Sequence, residues 1–228
     1  MSLPTFVKNL SIATLGAATI TVASVNQASA SPLVNGDFET GDLTGWTTFT
    51  TSNGTLGEGY PQVVPFDTDN NGTLSNSAKF RVGEGFYTGI HEGGGIFQNV
   101  LLSAGNLNIS ANIAALGGRF DNASGGKVQL LFDNVVLDSH DFSNISAGQA
   151  EYSFLSSINN VTAGLHEIRF LFTRPFVQNS ITPTQYIDNI VLSGTATQAV
   201  PEPTSMLGLL AVGSLSAFSL IKRKQQQS

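Results

Sequence analysis

The chain has 228 residues, 10 basic and 16 acidic side chains, a net charge of −6 and no cysteine. All the acidic residues but only six basic ones lie between Ser31 and Pro203, which gives that stretch a charge of −10. This balance argues against nucleic acid and anionic membranes, both of which need a positive face, and suits a soluble acidic protein that binds divalent cations.

At the N-terminus, Lys8 is the single basic residue before position 31, and an apolar, Ala- and Thr-rich run follows over 10–25. Ala28-Ser29-Ala30 then places small residues at the −3 and −1 spacing that signal peptidase requires, so residues 1–30 read as a signal peptide cut after Ala30. The alternative is an uncleaved N-terminal anchor, for which the run is short and diluted by threonine.

Between the two ends, Gly, Asn, Ser and Asp clusters separate short apolar or alternating runs. Strands are expected at 33–39, 46–51, 62–66, 78–82 and 95–101. Residues 106–113 alternate polar and apolar at every step, the period of a strand with one wet face. Val128, Leu130 and Phe132 share a face, Asp133-Asn134 interrupts, and Val135-Val136-Leu137 follows, which reads as a hairpin with a tight turn. Ile168, Phe170 and Phe172 form another buried face ended by Pro175, and 185–192 is the last strand. Roughly ten strands of this length predict an all-β, antiparallel two-sheet sandwich over 31–194. A domain of this size folds without disulfides. A small-residue linker follows over 195–203.

The linker ends in Pro201-Glu202-Pro203, and residues 206–221 carry no charge before the basic triplet Lys222-Arg223-Lys224. A bilayer span needs about 20 apolar residues, so 204–221 sits at the short end of that range, with the triplet favouring a cytoplasmic C-terminus. Alone, the apolar run reads as a permanent anchor. The two prolines in front keep the preceding segment extended and open to a protease. Together the three parts closely resemble the PEP-CTERM sorting signal of Gram-negative bacteria. The resemblance implies a transient anchor over 204–228, cut near Pro201-Glu202-Pro203 by a membrane-embedded exosortase. It also implies a product delivered to the cell surface or beyond.

A second resemblance covers about 33–193. Asn35-Gly36-Asp37-Phe38-Glu39 followed by Gly45-Trp46, with a closing strand Tyr186-Ile187-Asp188-Asn189-Ile190, is similar to galactose-binding-like jelly-roll domains. That family often holds a structural calcium between its first and last strands. The resemblance therefore implies Glu39 and Asp188 as ligands, with backbone carbonyls near Asn35 assisting. The alternative is that Asp188 ends strand pairing or caps a turn. Asp67-x-Asp69-x-Asn71-Gly72 copies the first half of a calcium loop, but Ala78 stands where a bidentate Glu is needed, so a turn is expected there.

The catalytic inventory is thin. His91, His140 and His166 are far apart, and neither a HExxH helix motif nor a Gly-x-Ser-x-Gly elbow occurs. Gly83-x-Gly85 and Gly126-Lys127 are fragments of phosphate loops, and His166 reads as a hydrogen-bonding residue at a strand start. Tyr60, Phe66, Phe86, Tyr87 and Phe176 are loop aromatics suited to stacking on sugars, whereas Trp46 is expected in the core. The resulting expectation is a non-catalytic exported protein that binds extracellular polysaccharide. A structural matrix component without a ligand, and a secreted hydrolase with dispersed carboxylates, are the alternatives.

Overall fold

The computed structural model describes residues 33–121, 123–175 and 181–197. The expected signal peptide (Ala28, Ala30), the sorting motif (Pro201, Glu202, Pro203), the apolar tail, Lys222-Arg223-Lys224 and Phe176 lie outside the described residues.

Fourteen strands follow in chain order: β1 Thr47–Thr50, β2 Gly54–Thr55, β3 Gln62–Phe66, β4 Ser75–Phe80, β5 Gly83–Glu84, β6 Glu92–Leu102 and β7 Gly105–Leu116. Then come β8 Ala123–Ser124, β9 Lys127–Phe132, β10 Val135–Asp141, β11 Asn144–Ile145, β12 Ala150–Val161, β13 Gly164–Arg174 and β14 Thr184–Ser193. One five-stranded sheet runs β1-β6-β13-β9-β10 and the other β12-β7-β14-β4-β3, with two short ribbons, β2-β5 and β11-β8. All the pairings are antiparallel. The chain crosses repeatedly from one sheet to the other, which is jelly-roll connectivity.

Alternation decides which face of each strand goes inward. On β7, Leu107, Ile109, Ala111 and Ile113 are buried while Asn106, Asn108, Ser110 and Asn112 face out. Across the gap, Ile96, Ile168, Phe170 and Phe172 come from the other sheet, and both sets belong to one continuous core. Phe80 of β4 stacks on Phe172 of β13 at 4.6 Å, joining the sheets directly. Each such side chain contributes about 1.5–3 kcal/mol through burial.

The β9–β10 hairpin has its turn at the expected residues. Asp133 and Asn134 carry φ of 48° and 65°, the double left-handed conformation of a type I′ turn. His166 of β13 secures it, with Nδ1 2.8 Å from an Asp133 carboxylate oxygen and Nε2 2.9 Å from the Thr162 carbonyl.

Two expectations need correction. Residues 33–39 form consecutive turns, not a strand, because Asn35 and Phe38 both adopt φ of 53°. A single bond from Ile190 N to Gly36 O, at 2.8 Å, attaches this segment to β14. Strand β12, by contrast, was not expected from the sequence. Its outward face carries Tyr152, Phe154 and Ile158, while Ser153, Ser157 and Asn159 share the inward face with the buried Leu155 and Val161, so no clean apolar-in alternation marks it.

Candidate functional site

Three places in the fold carry chemistry: a carboxylate junction beside β14, the outer face of the β12-β7-β14-β4-β3 sheet, and the loop between β5 and β6.

At the junction, neighbouring residues of β4 hold the two carboxylates singled out in the sequence. The Ser75 hydroxyl donates to Asp188 Oδ2, and the Asn76 backbone and side-chain amides donate to Glu39 at 2.9 and 3.2 Å. Asn189 N–H donates to Asp188 Oδ1 at 2.6 Å, and the β14–β7 register shifts just after Asp188. Asp188 is fully buried. Burial pushes its carboxyl up to about 6 against the hydrogen bonds from Ser75 and Asn189, and the charges of Glu39 and Asp37 add to the rise. Its hydrogen-bond partners are neutral. Nearby, Asn35, Gly36, Asp37 and Asn189 line an open hollow. Among the described residues, no three His, Cys, Asp or Glu side chains gather as a ready-made metal cage.

The segment at 67–73 is a self-satisfied turn, as expected. Asp67 accepts from the backbone N–H of Asn71 and Gly72 at 3.1 and 2.8 Å, and Asn71 Oδ1 accepts from Thr73 N–H at 2.7 Å. Partial desolvation works the other way, but these backbone donors hold the Asp67 carboxyl below its usual value. Thr68 from this turn lies 3.5 Å from Asp188, so the turn covers the buried carboxylate.

On the outer sheet face, register aligns Tyr152, Ala114, Tyr186, Lys79 and Gln62 in one row across all five strands. The next row begins Phe154, Asn112, Asp188. Ala114, Tyr186 and Asp188 in these rows are buried, so the accessible part of this face is its β12 margin, with Tyr152 and Phe154, and its β3–β4 margin, with Lys79 and Gln62.

The β5–β6 loop presents Phe86, Tyr87 and Ile90, exposed at 82%, 77% and 63%. It is not a loose excursion. Asn53 clamps Phe86 through both backbone groups, donating to its carbonyl at 2.8 Å and accepting from its N–H at 3.1 Å. Glu84, only 1% exposed, turns inward and accepts from Thr88 N–H at 2.6 Å, Thr88 Oγ1 at 3.2 Å and Gly89 N–H at 3.3 Å. A carboxylate accepting several hydrogen bonds makes strong ones, so the loop is fixed from beneath while its rings point out.

The other aromatic candidates divide. Trp46 is buried, donates from Nε1 to the Asn35 carbonyl at 2.9 Å and packs on Phe38 and Phe170. Phe66 stacks on Tyr186 at 3.8 Å, and Tyr60 lies against Arg81 and Lys79. The histidines do not converge. His91 is exposed, His140 packs edge-on to Phe142 at 4.7 Å, and His166 serves the hairpin. Asn53 and Glu84 carried no sequence signal, because a clamp between positions 53 and 86 exists only after folding.

No protein-family model matches the chain, and neither does any curated protein. Among solved structures, TmCBM61 in complex with β-1,4-galactotriose is similar with a TM-score of 0.44 and 15% identity, over 72% of this chain and 99% of that one. The xylan-binding domain CBM22-1 of Xyn10C from Paenibacillus barcinonensis gives 0.39 and 12%, over 72% and 93%. The enzymatically active domain of the bacteriophage CBA120 tailspike protein 4 gives 0.42 and 16%, over 72% of this chain but 21% of that one.

Proposed function

We propose that this chain is an exported cell-surface or extracellular protein whose non-catalytic β-sandwich binds polysaccharide. One observation carries the binding role: two aromatic rings and an isoleucine stand in solvent on a loop braced by a buried carboxylate and an asparagine clamp. Exposed apolar side chains on a preorganised loop are the mark of a binding surface, since ordering costs are met before the ligand arrives. Flat ring faces match a sugar, which offers its C–H faces to them. Titrating the purified protein with extracellular polysaccharides tests this. Wild type binds with a Kd between micromolar and millimolar, about −8 to −4 kcal/mol, and Phe86→Ala/Tyr87→Ala removes the binding. No binding at millimolar sugar would instead support a structural matrix component.

Export rests on the two ends of the sequence: a signal peptide cut after Ala30, and an exosortase-processed tail with Pro201-Glu202-Pro203 in front of it. Mass spectrometry of the mature termini is the test. The wild-type product starts near Ser31 and ends near Pro203, and Glu202→Ala leaves a membrane-bound precursor that retains Lys222-Arg223-Lys224. An intact tail on wild-type protein in an exosortase-bearing host would contradict this.

The junction residues fit a structural calcium. Asp188 and Glu39 supply carboxylate oxygens, the Ser75 hydroxyl adds another hard donor, and Asp188 is buried beside two further carboxylates with neutral partners. A divalent cation would relieve that repulsion and hold the 33–46 segment to β14.

A further inference from the structure

Of the six basic side chains in the described region, Lys79 and Arg81 stand together at alternate positions along β4 and its extension. Arg169 is paired with Glu167 at 2.8 Å, but among the described residues neither Lys79 nor Arg81 forms an ion pair. Aromatic rings hold them instead. Arg81 lies 4.8 Å and Lys79 5.9 Å from the Tyr60 ring centroid, and Lys79 is also 5.5 Å from Tyr186, whose other neighbour is the stacked Phe66. Arg81 Nε is buried without a hydrogen-bond partner, so ring contact and not an acceptor positions the guanidinium.

The arrangement is built by the backbone. Gly57 takes φ of +88°, and a Cβ there would sit 2.9 Å from Arg81 Cβ and 3.2 Å from Tyr60 Cδ2. Glycine is what allows the 57–60 turn to lay Tyr60 on Arg81. Lys79 also belongs to the cross-strand row that runs from Tyr152 to Gln62. Ala114 and Tyr186 in the middle of that row are buried, so its accessible part beside the 57–60 turn is Lys79 and Gln62.

In so acidic a domain, two cations side by side on the aromatic rings of Tyr60 and Tyr186 mark a local positive spot. We infer that the Tyr60, Lys79 and Arg81 cluster is a subsite for a carboxylate-bearing sugar, a uronate unit within a polysaccharide. The sugar packs beside Tyr60, and its carboxylate accepts hydrogen bonds from Lys79 and Arg81. This rests on the polysaccharide-binding reading and adds the ligand's charge class.

The test is titration of the protein with mannuronate/guluronate, galacturonate and glucuronate oligosaccharides, each beside its carboxyl-reduced neutral counterpart, at low and high salt. At least one acidic oligosaccharide binds about tenfold more tightly than its neutral form, and the gap narrows at high salt. Lys79→Gln/Arg81→Gln removes the preference for the acidic form over its neutral counterpart, whereas Arg81→Lys keeps it. Equal affinity for acidic and neutral forms, or a preference that survives Lys79→Gln/Arg81→Gln, overturns the subsite alone. Wild-type protein that binds none of these sugars, acidic or neutral, together with no binding to any other extracellular polysaccharide, overturns the polysaccharide reading as well.

Discussion

The two ends of the sandwich use similar residues to opposite effect. At the end where 33–46 and 67–74 lie, Asp, Asn and Thr side chains spend their hydrogen bonds on nearby backbone, and the rings of Phe38 and Trp46 turn into the core. At the end where β5 gives way to β6, Asn53 and Glu84 spend theirs on holding a loop whose rings turn out. Loop composition therefore does not separate scaffold from binding surface. What separates them is where the rings go once the polar groups have fixed the backbone.

The sharpest way to break this contrast is Trp46→Ala. It empties a core site and frees the Asn35 carbonyl, so unfolding free energy falls by about 3–5 kcal/mol, read by denaturant titration. A loss under about 1 kcal/mol would mean that this ring, too, is peripheral.

Next in size is the metal. A ligand bound only by the folded state adds RT ln(1 + [L]/Kd), about 2.7 kcal/mol at a hundredfold excess. Chelation therefore lowers the melting temperature of calcium-loaded protein, and Asp188→Asn abolishes that response. An unchanged melt on protein shown to start loaded would remove calcium from the closed end.

A smaller effect comes from the β9–β10 turn. Burial alone would lower the His166 pKa, but its bonds to Asp133 and to the Thr162 carbonyl raise it above 6.5. Asp133 is held below 3.8 by its bonds to His166 and Glu167 N–H, despite opposing desolvation. The histidine's contribution is complete below pH 6.5 and lost as pH rises through its folded pKa. That of the aspartate is complete above 3.8 and lost as pH falls through its folded pKa. The stability gap between wild type and His166→Gln should be widest between those values and amount to about 1 kcal/mol or less, since Asp133 is half exposed. Melts across pH measure it, and a gap that widens above neutrality would reverse the assignment.

Much of the scaffold was legible in the sequence because one wet face leaves a period of two. The 106–113 alternation became β7, and Asp133-Asn134 became the turn between β9 and β10. Strand β12 was hidden because Phe154 and Ile158 face solvent while polar Ser153, Ser157 and Asn159 share the inward face with Leu155 and Val161, which blurs the period of two. The 33–39 segment misled because positive φ at Asn35 and Phe38 leaves no mark on hydropathy. Glu39 and Asp188 were named from a resemblance, and the fold brings both to successive residues of β4. Tyr60, Phe66, Phe86 and Tyr87 were indistinguishable as letters. The fold separates them: Phe66 stacks on Tyr186 and Tyr60 lies against Arg81, whereas Phe86 and Tyr87 are strongly solvent-exposed. Lys79 and Arg81 carry no signal as letters, because their packing on Tyr60 and lack of carboxylate partners are properties of the folded surface.

Whether the β5–β6 rings serve a ligand or the fold is read most directly by one paired measurement. Wild type and Phe86→Ala/Tyr87→Ala are melted and then titrated with the same extracellular polysaccharides. If the rings serve a ligand, the unfolding free energies lie within about 0.5 kcal/mol of each other, with binding present in wild type and absent in the variant. A destabilised variant, or sugar binding that survives loss of both rings, would contradict it.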